Sequence, residues 1–414
     1  MDYKKEIGEV FLKKLDEMKS DENFNDRLSK DEIFSYEYSK FMAQIQDYSN
    51  YSIKRGDLPA ILIDAEVLPE AMDKAILEVW DKGISVKTHY DKPGDPQSKE
   101  ATVMIRIRNP LAEPRLYKNY PGSGAALEEY RLEVVHGIHN HWIAPGTEKW
   151  TYTYHERFFE NQPSENLNAP DRGILISRSK LREALKEAKT NNWGLDYVNH
   201  RLENGYLDIP KTNQIAKIIA DLRRDITSKG AQATTWMPTA DPGLESNRPC
   251  MQIGWFRSLE TEIKGKKGYQ VNLDMLFRSR DLYKAAFMNI WALTDFQRSV
   301  TKGLEKEIGM PCIVGNYNDT SFSLHIYGAY FNKETKTNEE MESTIARIRK
   351  TPWTDRAWSL NDPDIPHLEE MLEARHVISA KLDWEKKTGN KGTYDPNLTT
   401  EQLKSYPYPM EWDE

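Results

Sequence analysis

The 414-residue chain predicts an α+β protein: a mixed, mostly antiparallel sheet packed against one long buried helix, with helical extensions at both ends. Three observations point there. Short strand-like runs cluster in the middle of the chain. One segment, "RDLYKAAFMNIWALTDFQRSVTKGL", is apolar around most of its circumference, so it reads as a helix buried on more than one face. Both ends carry helical rather than strand periodicity.

At the N-terminus, Ile7, Phe11, Leu15 and Met18 recur at helical spacing over residues 3–19, and residues 31–53 read as a second helix. "PEAMDKAILEVWDKG" (69–83) is a third, closed by Gly83. The loop "THYDKPGDPQSKE" is rich in Pro, Gly and Asp and is the expected boundary of the N-terminal extension. "ATVMIRIRNP" alternates as a strand and stops at Pro110. "LEEYRLEVVHGIHNHWI" is a helix running into a turn, and "IAKIIADLRRDI" is an amphipathic helix. "AQATTWMP", "CMQIGWFR" and "YQVNLDMLFRS" predict three strands, the last two joined by the solvated tip "ETEIKGKKG". After the long helix, "MPCIVGNY" and "SFSLHIYGAYF" predict two more. "IPHLEEMLEARHVISAKLDW" is a C-terminal helix followed by the tail "YPYPMEWDE". The expected organisation is a helical extension over 1–85, a catalytic core over 86–335 and a helical extension with tail over 336–414.

Bulk properties exclude several classes. Net charge is −8, which argues against generic nucleic-acid binding, since phosphate attraction needs a basic footprint. A small anionic substrate remains compatible if a few arginines focus in one cleft. No apolar run reaches the roughly 18 residues of a membrane span, and the first residues lack a signal-peptide core. A soluble protein with no membrane partner is expected. Two distant cysteines make no disulfide framework, and a reducing cytoplasm is the expected compartment.

Chemistry concentrates around Cys250 in "ESNRPCMQIGWFR". It opens a strand and lies two residues from Arg248, and positive charge lowers a thiol pKa. It reads either as a nucleophile or as a small buried hydrophobe. Cys312, also preceded by proline, has no arginine close in sequence and reads as core. "FRSRDLYKAAFMN" sets Arg278, Ser279 and Asp281 at a strand-to-helix junction, where an Arg fork and helix N–H groups suit a phosphate. Asp281 reads equally as a dipole-complementing first-turn residue. Asn289, polar inside an apolar run, can donate and accept at once, which suits the amide edge of a pyrimidine or an ordinary buried Asn. His136, His139 and His141 in "HGIHNHW" match no zinc spacing and read as structural; no metal is expected. In "LRRDITSKG", Arg223 and Arg224 read as a solvated helix end or as phosphate ligands.

In order, "RPC", Arg-Ser-x-Asp followed by the helix Asn, and "HIY" resemble the motifs of the thymidylate synthase and pyrimidine nucleotide hydroxymethylase family. "AQATTWMPTADP", "YTYHERF" and "LEVVHGIHN" are similar to further segments of it. Phrases such as "YDKPGDP", "NPLAEPR" and "AFMNIWALTDFQR" look closest to its divergent archaeal and phage branch. The resemblance covers roughly 85–335. It implies reductive methylation of dUMP to dTMP with 5,10-methylenetetrahydrofolate, through a covalent adduct on the Cys250 thiolate. Arg278 and Ser279 would bind the 5′-phosphate, Asn289 the uracil edge, His325 and Tyr327 the ribose 3′-hydroxyl. Glu133 would organise proton-transferring water, and Tyr152 would assist proton removal from carbon 5. Asp281 would meet the base or the pterin. Trp142 and Trp150 are either core aromatics or the folate-facing wall. A homodimer with sheets packed back to back is implied.

The chain departs from the family pattern at Met251, where the family has His, at Phe277 where it has Gln, and at Ser323 where it has Asp. Its paired cross-dimer arginines align with Lys229 and Gly230, with Arg115 a candidate substitute. The tail lacks the family's apolar end, which bears on hydride transfer. Two other functions therefore remain open: a dUMP hydroxymethylase, in which water replaces hydride, and a non-catalytic nucleotide-binding relative.

Overall fold

A computed structural model of the chain describes residues 13–52, 58–88, 92–143, 151–161, 186, 189–190, 211–238, 241–243, 248–331, 341–362 and 365–413. It divides into two units, Met1–Leu58 and Pro59–Glu414. In the first unit residues 13–19 are helical, and α1 (Phe24–Lys30) and α2 (Glu32–Ser52) follow. Asp31 caps α2 by accepting from the N–H groups of Ile33 (3.1 Å) and Phe34 (3.0 Å). The Phe24 ring meets Phe34 edge-on, with Arg27 4.2 Å above the Phe34 ring. The part of the helix expected over residues 3–12 lies outside the described residues.

The second unit is built on one eight-stranded sheet. β1 (Ala60–Ala65) feeds α3 (Leu68–Lys82), which buries Leu68, Ala71, Met72, Ala75, Ile76 and Val79 at helical spacing against the sheet. Leu68, Met72, Ile76 and Val79 each contribute roughly 1.5–3 kcal/mol of burial, and the alanines less. α3 ends at Gly83, where a Cβ would sit 2.3 Å from the Val79 carbonyl, so only glycine lets the chain leave there. β2 (Ile84–Val86) then pairs antiparallel with β3 (Ser98–Ile107), which also pairs parallel with β1. The Pro/Gly-rich stretch expected to bound the core thus falls between β2 and β3, two paired strands of the same sheet. The break between units falls at Leu58/Pro59 rather than at 85/86, and residues 60–86 are part of the main unit.

β4 (Leu116–Tyr117) is followed by α4 (Gly124–His136), α5 (Tyr154–Phe159), α6 (Gln214–Arg224) and β5 (Gln232–Thr234). β6 (Met251–Ile263) and β7 (Lys266–Phe277) form a long hairpin. Lys264 and Gly265 turn it with φ of 50° and 75°, the left-handed pair that a two-residue hairpin loop requires. β8 (Arg280–Asp281) leads through a π-type turn, Leu282–Ala286, into α7 (Phe287–Ile308). α7 is the long buried helix: Phe287, Ile290, Trp291, Leu293, Phe296, Val300 and Leu304 are all buried.

The expected pair of strands after α7 is a single strand, β9 (Cys312–Ile326). The polar "NDT" does not break it because neighbouring elements satisfy its side chains. Asn318 donates to Asp274 (2.7 Å), and Asp319 pairs with Arg280. β9 runs antiparallel to β3 and parallel to β7 and β8, so the sheet is mixed, in the order β1-β3-β9-β7-β6-β5. Where β7 and β9 lose register near Val271, Gln297 of α7 donates to the carbonyls of Val271 (2.9 Å) and Asn316 (3.1 Å).

The C-terminal region packs into the same unit. α8 (Met341–Lys350) lies on α3, and β10 (Ala357–Trp358) pairs with β4. α9 (Pro366–Thr388) packs on α4, and α10 (Thr400–Lys404) precedes the tail. Trp412 of the tail completes a small second core with Leu132, Ile138, Ala374 and Ile378. No helix among the described residues is long and apolar enough to cross a membrane.

Candidate active site

The β6–β7 pairing decides where Cys250 stands. Met251 opposes Phe277, so the onset of β6 meets the end of β7, and the Arg278 N–H donates to the Cys250 carbonyl at 2.8 Å. The proximity of Cys250 and Arg278, which sequence left open, is therefore fixed by two strands of matched length. The Arg278 guanidinium donates to the carbonyls of Pro249 (Nε, 3.0 Å) and Arg248 (Nη2, 3.0 Å) and to Ser279 Oγ (Nη1, 3.3 Å). It ties down the segment leading into the thiol. Cys250 Sγ lies 3.8 Å from Ser279 Oγ.

Next to this edge, one row crosses three strands: Glu100 of β3 opposes His325 of β9, which opposes Asp281 of β8. His325 Nδ1 lies 3.3 Å from both Ser323 Oγ and the Ser323 carbonyl oxygen. Its Nε2 is buried with no hydrogen-bond partner in the structure. Burial lowers the His325 pKa, partly offset by the charges of Asp281 and Glu100. Its ring meets Tyr327 at 4.5 Å.

These residues line a cavity of about 750 Å³, together with Lys87, Tyr130, Tyr154, Arg248, Arg280 and Asn289. The volume is within the ~300–1,000 Å³ of small-molecule sites. Arg280 is neutralised in a buried ion pair with Asp319. Lys87, Arg248 and Arg278 are the other cations of the wall, which also carries the carboxylates of Glu100 and Asp281. The structure thus brings Cys250, Arg278, Ser279, Asp281, Asn289, His325 and Tyr327 to one cavity.

Asp281 has a local task as well. Its Oδ1 accepts from the N–H groups of Tyr283 (2.9 Å) and Lys284 (3.1 Å), and its Oδ2 accepts from Tyr330. The first N–H groups of the following turn are therefore capped by Asp281 rather than left for a phosphate. Anion binding here falls to side chains.

Other expected residues stand elsewhere. Glu133 does not line the cavity; its carboxylate accepts from, or pairs with, His139 Nδ1 at 2.8 Å. Tyr152 does not line the cavity; its ring lies 5.6 Å from that of Tyr154, tilted by 56°. Arg115 is buried in the core over Trp291, donating to Thr294 Oγ1 (2.6 Å) and the Trp291 carbonyl (3.1 Å) and pairing with Asp295. Its guanidinium is not brought to the cavity. Trp142 stacks on His139 and donates its Nε1 to Glu385 at 2.8 Å. Trp150 lies outside the described residues. Arg223 and Arg224 pair with Glu307 and Asp221 at the end of α6. Among the described residues no group of His, Cys, Asp or Glu is arranged to hold a metal.

Two phenols of the wall escaped the sequence reading. Tyr154 accepts from the Met251 N–H at 3.3 Å, and burial with the nearby Cys250 charge pushes it up to about 12. Tyr130 accepts from Asn289 Nδ2 at 2.7 Å. The available signals were their places, two residues from Tyr152 and three from Glu133, on short helices whose phase the segments do not fix. Cys312 is at the opposite, hairpin end of the sheet, where Tyr269 opposes it. Burial and the charge of Glu305 raise its thiol to about 11.

No family model matches the chain. Among curated proteins, it is 24% identical to "Putative thymidylate synthase" of Methanocaldococcus jannaschii over 264 residues, 62% of this chain and 86% of that one. It is 24% identical to the protein of the same name from Methanosarcina mazei, over 61% of this chain and 87% of that one. Among solved structures it matches the thermostable thymidylate synthase A from Bacillus subtilis with a TM-score of 0.36 and 13% identity, over 68% of this chain and 84% of that one. The chain is thus a distant sequence relative of archaeal proteins named as thymidylate synthases.

Proposed function

We propose that the protein is a thymidylate synthase that converts dUMP to dTMP, with Cys250 as the covalent nucleophile. The observation that carries this is the convergence of Cys250, Arg278, Ser279, Asn289, His325 and Tyr327 on one cavity, with Cys312 absent from it. Carbon 5 of uracil is a weak nucleophile. Addition of the Cys250 thiolate to carbon 6 forms the S–C6 bond and moves the ring electron pair onto carbon 5 and O4, which activates carbon 5. Arg278, with Arg248 and Lys87, supplies positive charge for the 5′-phosphate and for the thiolate. His325 Nε2, buried and unpaired, is placed for the ribose hydroxyl, beside Tyr327. Tyr154, bonded to the backbone beside Cys250, is a phenol at the reacting edge, with the Tyr152 ring packed beside it.

Methylenetetrahydrofolate is the co-substrate and supplies the one-carbon unit and the hydride. Asp281 fits a role toward it: three donors occupy its carboxylate, and about one of its four acceptor positions remains. Trp142, held by Glu385, does not line the cavity. A homodimer is supported by the sheet face that carries Leu62, Met104 and Phe322. Leu62 opposes Met104, Met104 opposes Thr320, and Phe322 lies two residues on; all three are exposed apolar side chains.

The test is product identification after incubation with dUMP and methylenetetrahydrofolate. dTMP with dihydrofolate is the expected outcome. A 5-hydroxymethyl nucleotide with tetrahydrofolate would identify a hydroxymethylase instead, and no turnover would reject the assignment.

A further inference from the structure

We infer that Tyr130 is a positioning residue that holds the Asn289 amide in the sense that reads uracil and rejects cytosine; this rests on the nucleotide reading above. An Asn side chain has two nearly isosteric orientations, and only its partners choose between them. Here Nδ2 donates to the Tyr130 hydroxyl at 2.7 Å. That leaves Oδ1 and the second Nδ2 proton as an acceptor–donor pair. Uracil offers the complement, an O4 acceptor beside an N3–H donor. Cytosine offers the reverse, a 4-amino donor beside an N3 acceptor.

A phenol can donate as well as accept, so something must aim its proton away from Asn289. Glu133 lies three residues along α4, on the same helical face. Burial raises the Tyr130 phenol, and the negative charge of Glu133 acts on it in the same direction. A carboxylate on that side draws the O–H proton toward itself and turns a lone pair toward Asn289. Glu133 is itself held by His139. Glu133, behind the cavity wall, thus biases the Tyr130 hydroxyl, and through it the polarity of the base-reading amide.

The experiment is equilibrium titration of full-length wild-type protein and Tyr130→Phe with dUMP and with dCMP. Wild type should prefer dUMP by at least about a hundredfold. Tyr130→Phe should lose at least about tenfold of that ratio, mainly through tighter dCMP binding, because the amide is free to flip. A merely structural loss would weaken both nucleotides alike and leave the ratio intact, which overturns the inference. If wild type does not prefer dUMP, the nucleotide reading itself fails. If wild type discriminates and the variant discriminates equally, only the role of Tyr130 fails. Should Tyr130→Phe not fold, Glu133→Gln carries the test: its ratio should fall at least about threefold, and an unchanged ratio overturns the inference.

Discussion

Cys250 and Cys312 have the same local sequence signature, proline before and an apolar strand after, yet they occupy opposite ends of one sheet. Cys250 opens β6 at the edge where β7, β8 and β9 all end. Cys312 opens β9 at the hairpin end, beside Glu305 and the Met310 carbonyl. Strand direction, not local composition, separates them. The onset of β6 meets the end of its antiparallel neighbour β7, beyond which lie Arg278 and Ser279, and β9, parallel to β7, ends at the same edge before Tyr327. Partial burial and the charge of Glu305 stabilise the Cys312 thiol over the thiolate.

The comparison breaks most directly by mutation. Cys250→Ala should lower kcat on the order of 10⁴-fold or more, while Cys312→Ala should change it less than about twofold. Comparable losses in both would remove the distinction. The next effect tests why the Cys250 edge is ordered. Arg278→Ala removes the donors to the Arg248 and Pro249 carbonyls. Nucleotide affinity should fall roughly 10–100-fold, and a drop below threefold in a titration would show that Arg278 is not the anion anchor.

A smaller effect is chemical. With its thiol near 11, Cys312 carries about one thiolate in a thousand at pH 8. Iodoacetamide should modify Cys250 at least about tenfold faster there, as read by peptide mass spectrometry. Labelling of Cys312 should rise about tenfold per pH unit until pH approaches 11. Faster labelling of Cys312 at pH 8 would reverse the assignment.

The smallest effect sets the pH window for these measurements. His136 and His155 are both half-buried, and desolvation holds them near 4, below the 6.5 of the unfolded chain. Their neutral forms belong to the native state, so protonation favours unfolding. Stability should be full above pH 6.5 and decline as pH falls toward 4, with a melting temperature lower by a few degrees. His155→Gln should flatten that slope; an identical slope would place the acid sensitivity elsewhere.

Much of this edge was legible in the sequence, because its motifs sit where strands begin and end, and an ordered series of such motifs constrains a sheet strongly. Asn289 and His325 reach the same cavity from a helix and a strand, as their order implied. The phenols were harder. Tyr130 and Glu133 share one helical face, and only the packing of α4 against α7 and α9 decides which of them enters the cavity. The continuity of β9 was hidden because Asn318 and Asp319 look like a turn until Asp274 and Arg280 are placed beside them. The core boundary was obscured for a similar reason: a Pro/Gly-rich connection between two paired strands has the composition of a linker. Arg115 had the charge for phosphate, but Asp295 and Thr294 hold it inside the core.

The central claim is that Cys250 is the nucleophile. The direct measurement is mass mapping of the covalent adduct formed with 5-fluoro-dUMP and methylenetetrahydrofolate, in wild type, Cys250→Ala and Cys312→Ala. One adduct per chain is expected on the peptide containing Cys250, lost in Cys250→Ala and retained in Cys312→Ala. An adduct on Cys312, or one that survives Cys250→Ala, would contradict it.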